Sequence, residues 1–379
     1  MKIKRYWTVA LIVVAITVIT LLNAIISPPA TGQAMGEEGY SFSSLDSLGT
    51  VKAVEVKGDY AYLLDYYNLM IVDVSNPLAP VELSKTELVA TDDYVNDVEV
   101  SGHYAYVAAG DSGTQIVDVS DPLHPQVVGS TYGYGAEGVT IEESILVEGY
   151  NRYIDGYIVS GGVRIYDVTD PIRPVEIGSI FHAGFVPYGD AKSVIAIAGD
   201  YVYGAIAMDS IVEIIPIDDP SAHTAFYDWP DGIRFEPRNV VAFDHYLYVS
   251  GYVSGSVNEA GSKIAIFDIS DPLAPVWVNL FGTLARNMVI DDEKLYVGGG
   301  AIIGIYDLAD PANPSLLFSH DTKQWIQDID AQDDCVYVGT YRNGFDVLCA
   351  SEPVVTLTPS PTASVGEKLY LPLIQNTAL

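Results

Sequence analysis

Basic side chains are scarce in this chain: 18 Lys and Arg stand against 50 Asp and Glu in 379 residues, a net charge of −32. That balance excludes a nucleic-acid ligand, because neutralising phosphates takes a Lys/Arg surface. Acidic residues are effective solubilisers, so the charge describes first an exterior that faces the medium. Cysteine is almost missing, with only Cys335 and Cys349 present. Neither follows the N-terminal apolar run, which argues against a bacterial lipoprotein anchor, and two thiols allow a single pairing within the chain. Catalytic signatures are missing too: there is no His-Glu-x-x-His, no pair of histidines at ligand spacing and no Gly-x-Ser-x-Gly. The six histidines (His103, His124, His182, His223, His245, His320) share no repeat position and read as single loop residues. Asp and Glu pairs are too common for any one of them to mark a glycosidase dyad.

What is abundant is strand and turn material, with 27 Tyr, 33 Gly and 21 Pro. Six times a β-strand runs into a proline turn: Ile71 to Pro77, Ile116 to Pro122, Ile165 to Pro171, Ile215 to Pro220, Ile266 to Pro272 and Ile305 to Pro311. Five of these pass through an aspartate, as in Ile116-Val117-Asp118-Val119-Ser120-Asp121-Pro122. The turn prolines are 45, 49, 49, 52 and 39 residues apart. A β-rich period of that length is the signature of propeller blades. A second strand recurs seven times, as Tyr60-Ala61-Tyr62, Tyr104-Ala105-Tyr106, Ile145-Leu146-Val147, Tyr201-Val202-Tyr203, Tyr246-Leu247-Tyr248, Lys294-Leu295-Tyr296 and Cys335-Val336-Tyr337. The prediction is an all-β, seven-bladed β-propeller of four-stranded blades, with strands a to d running from the channel outwards.

The seventh blade stops after strand c, before Glu352-Pro353, so it lacks an outer strand. Tyr40 to Thr50 is strand-like, and an N-terminal segment completing the last blade would leave no unpaired edge. Asp/Asn-Pro-x-x-Pro reads as a type I turn, with Pro where its fixed φ is already right and the Asx side chain bonding back to the turn. The strand-c aspartate takes a similar part, and counting Asp346 of blade seven there are six of them. Six equivalents around a ring are a structural set and not six active sites. The strand-b tyrosine fits a ring packed between blades with its hydroxyl at a polar edge.

These motifs resemble the LVIVD-repeat family, whose strand-c consensus is seen here as Leu69-Met70-Ile71-Val72-Asp73 and its relatives, over roughly residues 50 to 350. Blade four departs, with Pro216 at the aspartate position and His223 for the second turn proline. The resemblance implies a β-propeller exported from bacteria or archaea. It brings no agreed activity and no catalytic residues.

The termini bear on compartment. Lys2, Lys4 and Arg5 precede Trp7 to Ile26, twenty residues without a charge, and Pro28-Pro29 closes the run. Basic residues stay on the cytoplasmic side, so the chain beyond residue 27 is expected outside. The run is long enough to span a bilayer, while Gly32-Gln33-Ala34 offers a cleavage site. Residues 1–34 are therefore a signal peptide or an N-terminal membrane anchor, 35–352 the propeller, 353–365 a Thr/Pro/Ser spacer and 366–379 a short tail. The protein is expected to be extracytoplasmic, secreted or membrane-anchored at the cell surface, and monomeric. Cys335 and Cys349 lie seven residues either side of Arg342, directly opposed in a hairpin, and an oxidising compartment lets a disulfide persist.

Chemistry is expected in what does not repeat. Strand d-to-a and b-to-c loops emerge on one face around the channel, and loops on a rigid scaffold commonly carry function. Two b-to-c connections are inserted, Tyr150–Tyr157 and Gly251–Glu259. With them on that face are Asp65, Tyr66, Tyr67, Asp92, Asp93, Tyr94, Arg152, Tyr153, Tyr188, Asp190, Arg234, Glu236, Arg238, Arg286, Asn287 and Trp325. Aromatics among carboxylates and arginines suit a protein or polysaccharide ligand, and equally an ordinary wet rim. No cofactor is indicated. Acidic loops such as Gly110-Asp111-Ser112-Gly113 leave calcium open without the spacing of a known calcium loop. The favoured reading is an exported, non-catalytic interaction module. The alternative is an extracellular hydrolase or lyase at the channel mouth, with or without calcium.

Overall fold

The computed structural model describes the backbone of residues 40–88, 94–131, 133–154, 157–182, 195–206, 211–226, 229, 234–254, 261–282 and 285–350, and the side chains of all these except 152–154, 157–160, 205, 206 and 234. The N-terminal apolar run, its cleavage site, the spacer and the tail lie outside the described residues. Strands pair into seven antiparallel sheets of four strands each. Six sheets take their strands in chain order, as in blade two: Asp97–Ser101, Tyr104–Ala108, Thr114–Asp118 and Gln126–Ser130. Blade seven takes Tyr40–Leu45 as its outer strand, in register from Tyr40 opposite Ala350 to Leu45 opposite Phe345. The ring closes as the sequence predicts, and its last sheet has no open edge toward the seam.

Each proline turn is built from its own side chains. The strand-c aspartate accepts the N–H two residues on: Ser75 to Asp73, Ser120 to Asp118, Thr169 to Asp167, Ser270 to Asp268 and Ala309 to Asp307, all at 2.8–2.9 Å. The turn then closes from residue i+3 to residue i, as in Ala79 N–H to Asn76 O at 2.9 Å and Ala274 N–H to Asp271 O at 3.0 Å. One of these expectations is corrected in blade seven. The residue facing the first residue of strand b is Asp73 opposite Tyr60 in blade one, and Cys349 opposite Cys335 in blade seven. Cys349, not Asp346, therefore holds the aspartate position, and the sixth carboxylate does not belong to the set. The predicted disulfide joins these two cysteines, Cα to Cα 4.0 Å.

The turns also latch neighbouring blades together. The Tyr248 hydroxyl of blade five donates to the Pro311 carbonyl of blade six at 2.7 Å. Ser43 of blade seven donates to Pro77 O of blade one, and Ser84 of blade one to Pro122 O of blade two, at 2.8 and 2.6 Å. Small residues on strand d let the turn approach this closely. A Cβ on Gly178 would collide with the Pro220 ring of the next blade, and one on Gly129 would lie 3.0 Å from Ile172 O. In blades four and five the strand-b tyrosine and the next blade's proline turn thus meet directly, as the turn docks onto its predecessor. Tyr62, Tyr106, Tyr203, Tyr248, Tyr296 and Tyr337 are accordingly buried between sheets.

Candidate functional site

Strand a of every blade begins at the loop face and lines the channel, a cavity of about 300 Å³. Two residues before its end blades seven, one and two carry Asp330, Glu55 and Glu99, and blades four, five and six carry Ala196, Val241 and Val289. The channel is therefore acidic on one side and apolar on the other. The acids have defined structural work. Asp328 accepts the Val54 N–H at 2.5 Å, Asp330 the Val56 N–H at 2.6 Å, and Gln332 the Gly58 N–H at 2.8 Å. Alternate side chains of blade seven thus form a ladder on the backbone of blade one. Asp97 binds the Val139 N–H of blade three at 3.0 Å, and Asn287 donates to Asp328 at 3.2 Å. The sequence reading missed these residues, although Asp97-x-Glu99 and Asp328-x-Asp330 carried the signal: acids at period two within an apolar strand mark one of its faces as polar. Among the described residues no group of three or more His, Cys, Asp or Glu is placed to hold a metal ion.

Around the acidic side of the channel the loop face carries exposed aromatics. The rings of Tyr66, Tyr67 and Tyr94 lie 5.9–6.4 Å apart, centroid to centroid, across the blade one and blade two loops. Lys52 holds the group from beneath, its ammonium 5.3 Å from the Tyr66 ring and 5.7 Å from the Tyr94 ring, while donating to Val95 O and Asn96 Oδ1. On blade seven, Tyr341 N–H donates to Trp325 O at 3.1 Å, and Thr50 donates to Tyr341 O. Trp325 is 56% exposed and Tyr94 50%. An arc of exposed rings therefore runs over blades seven, one and two.

The sequence-selected residues divide over this face. Tyr66, Tyr67, Tyr94 and Trp325 belong to the arc, and Tyr341 joins them unpredicted. Asp65 sits inside its own turn, accepting Tyr67 N–H, Asn68 N–H and the Lys85 ammonium. Burial works to raise its carboxyl pKa, and those hydrogen bonds outweigh it and hold the group below the ordinary value. Tyr150 is only 9% exposed, its ring under the Arg164 guanidinium at 3.6 Å. Arg164 in turn binds buried Glu148 at 2.5 Å, so Tyr150 packs against an ion pair instead of being presented to a ligand. The inserted segments extend strands. Ile145–Ile154 pairs with Tyr157–Asp167, and Tyr246–Ser254 with Gly261–Asp268. Arg152 and Tyr153 lie on the first hairpin and Arg234 at the start of a long strand a in blade five; their side chains are not described. Arg238 and Arg286 are half-buried beside strand a of blades five and six. Asp92, Asp93, Tyr188 and Asp190 lie outside the described residues.

Seven four-stranded sheets around a lined channel define this chain as a β-propeller. Residues 48–86 and 93–132 match the LVIVD repeat family. The chain thus carries two LVIVD repeats within a seven-bladed β-propeller, and the same strand–turn unit recurs in blades three, five and six. No curated protein matches the chain. Among solved structures it is similar to the computationally designed Ika8 protein, with 13% identity, a TM-score of 0.52 and 83% of this chain covering 99% of that one. It is similar to a chain of a mitotic checkpoint complex, with 12% identity, a TM-score of 0.56 and coverage of 86% and 93%. A functionally unknown protein from Desulfotomaculum acetoxidans DSM 771 gives 12%, 0.56, and 78% and 100%. These likenesses show the fold, which supports an interaction module in general terms.

Proposed function

We propose that this propeller is an exported, non-catalytic interaction module that binds a protein or polysaccharide at the cell surface through the aromatic arc of its loop face. The observation that carries this is the arc itself: Tyr66, Tyr67 and Tyr94 stand exposed with their rings side by side, and Trp325 and Tyr341 are exposed on the adjoining blade seven. Singly exposed aromatics need no explanation, but a contiguous set marks an interaction surface. Tyr and Trp are also the residue types that dominate binding energy at interfaces. Non-catalytic action is supported by the engagement of Asp97, Asp328 and Asp330 in bonds between blades. Export is supported by the charged-then-apolar N-terminus and by a disulfide, which persists in an oxidising compartment.

The test is co-sedimentation of the purified protein with cell envelopes of the source organism. The triple variant Tyr66→Ala, Tyr94→Ala, Trp325→Ala should bind at least about ten-fold more weakly with its melting temperature retained. Digesting the envelopes with protease or with glycosidases identifies which class of polymer holds the protein. Unchanged binding by the triple variant would reject the loop-face reading.

A further inference from the structure

A second cavity, of about 370 Å³, lies between blades six and seven, apart from the channel and the aromatic arc. Phe42, Ile303, Val338 and Leu348 give it apolar walls, and Asp346 opens into it. Its size falls in the range of small-molecule sites, which combine apolar walls with a few placed polar groups.

The repeat supplies an internal control for Asp346. Three residues before the strand-c aspartate position, the other blades carry Met70, Gln115, Arg164, Glu213, Ala265 and Gly304. Where that residue is charged, the chain answers it. Arg164 pairs with Glu148 at 2.5 Å, and Glu213 with His223 at 3.0 Å. Asp346 has no such answer among the described residues: no hydrogen bond reaches it, and the charge it feels is that of Asp46, of like sign. The ammonium lining the cavity, that of Lys323, is paired with Asp321. The His320 ring lies tilted against Phe42, ring centroids 4.4 Å apart. The cavity therefore offers an apolar body-shaped space ending in an uncompensated carboxyl group.

We propose that this cavity binds a small organic ammonium, its apolar body against Phe42, Ile303, Val338 and Leu348 and its protonated primary amine donating to the Asp346 carboxylate. The ligand supplies the counter-charge that Glu148 and His223 supply in blades three and four. Burial keeps the Asp346 carboxyl protonated up to about pH 7, so the site is charged and receptive above that pH.

The probes are 2-phenylethylamine and its uncharged counterpart 2-phenylethanol, titrated calorimetrically into the full-length protein at about pH 8. The amine should bind at one site per chain, and the alcohol at least about ten-fold more weakly. Asp346→Asn should lose at least about ten-fold for the amine, and Ile303→Trp, which fills the cavity, should abolish binding in a protein that melts normally. Amine affinity in the wild type should fall about thirty-fold between pH 8 and pH 5.5 as Asp346 takes up a proton. Asp46, Asp321, Lys323 and His320 also face the site, and a profile set by His320 would persist in Asp346→Asn, whereas one set by Asp346 would flatten. Equal binding of amine and alcohol, amine binding by Asp346→Asn within about two-fold of wild type, or no amine binding at millimolar concentration would overturn the proposal. The loop-face triple variant should bind the amine normally, so the two sites fail independently.

Discussion

Two aspartates three residues apart in their blade register behave in opposite ways. Asp73, Asp118, Asp167 and Asp268 are held below the ordinary carboxyl value by the hydroxyl and N–H of the residue two further on. Their contribution is present above the unfolded value and lost as the pH falls through the folded one. Asp346 is pushed up to about 7 by burial and by Asp46, from an ordinary 3.8. Between those values the unfolded chain is ionised while the folded one still holds its proton, so folding stability falls as the pH rises through this window and levels off above it. Replacing Asp346 by Asn removes that dependence. Melting temperatures taken from about pH 4 to about pH 8 should show the variant close to wild type at the acid end and progressively more stable toward the alkaline end. An advantage that is constant with pH would contradict the buried titration. The mistaken grouping of Asp346 with the turn aspartates arose because blade seven has no proline turn to anchor the register. The count that opposes Cys335 to Cys349 already contains the correction, since it puts Cys349 where Asp73 faces Tyr60.

The strands and turns were legible because their chemistry is local. An Asp-x-Ser-Asp-Pro turn carries its own hydrogen-bond partners within a few residues, and the disulfide closes a single hairpin. The contacts between blades were not legible in the same way. Asp328, Asp330 and Gln332 reach partners 274 residues away. Their acids were visible as a period-two pattern, but their acceptor role depends on ring closure, which no local window contains. The same holds for the aromatic arc: Tyr66, Tyr94 and Trp325 could be placed on one face, while their adjacency needed the ring. The seam is secured at two radii, by Tyr40–Leu45 on the outside and by the Asp328–Asp330–Gln332 ladder at the channel. Each charge-assisted bond in such a ladder is worth about 1.5–3 kcal/mol, so the inner fastening alone does not substitute for a missing strand edge. A truncation beginning at Val51 should expose that edge, aggregate and melt lower. If it stays monomeric with an unchanged melting temperature, the outer closure is not what holds the ring.

At the scale of the whole molecule, the propeller divides its labour by position. The repeated residues build and join the blades: turn aspartates, latching tyrosines and the small strand-d residues under the prolines. The unrepeated exposed aromatics Tyr66, Tyr67, Tyr94, Trp325 and Tyr341 lie on the loop face of blades seven, one and two, over the acidic half of the channel. The opposite face carries the proline turns, with Leu273 exposed beside Pro272. On the proposed reading, partner binding belongs to the loop face. Site-specific photocrosslinking separates the two faces, with a benzoylphenylalanine introduced in place of Tyr94 or, on the opposite face, of Leu273, and the protein applied to intact envelopes. A partner adduct is expected from position 94, disappearing when Tyr66 and Trp325 are changed to Ala, and none from position 273. An adduct from 273 with none from 94 would contradict this division of the molecule.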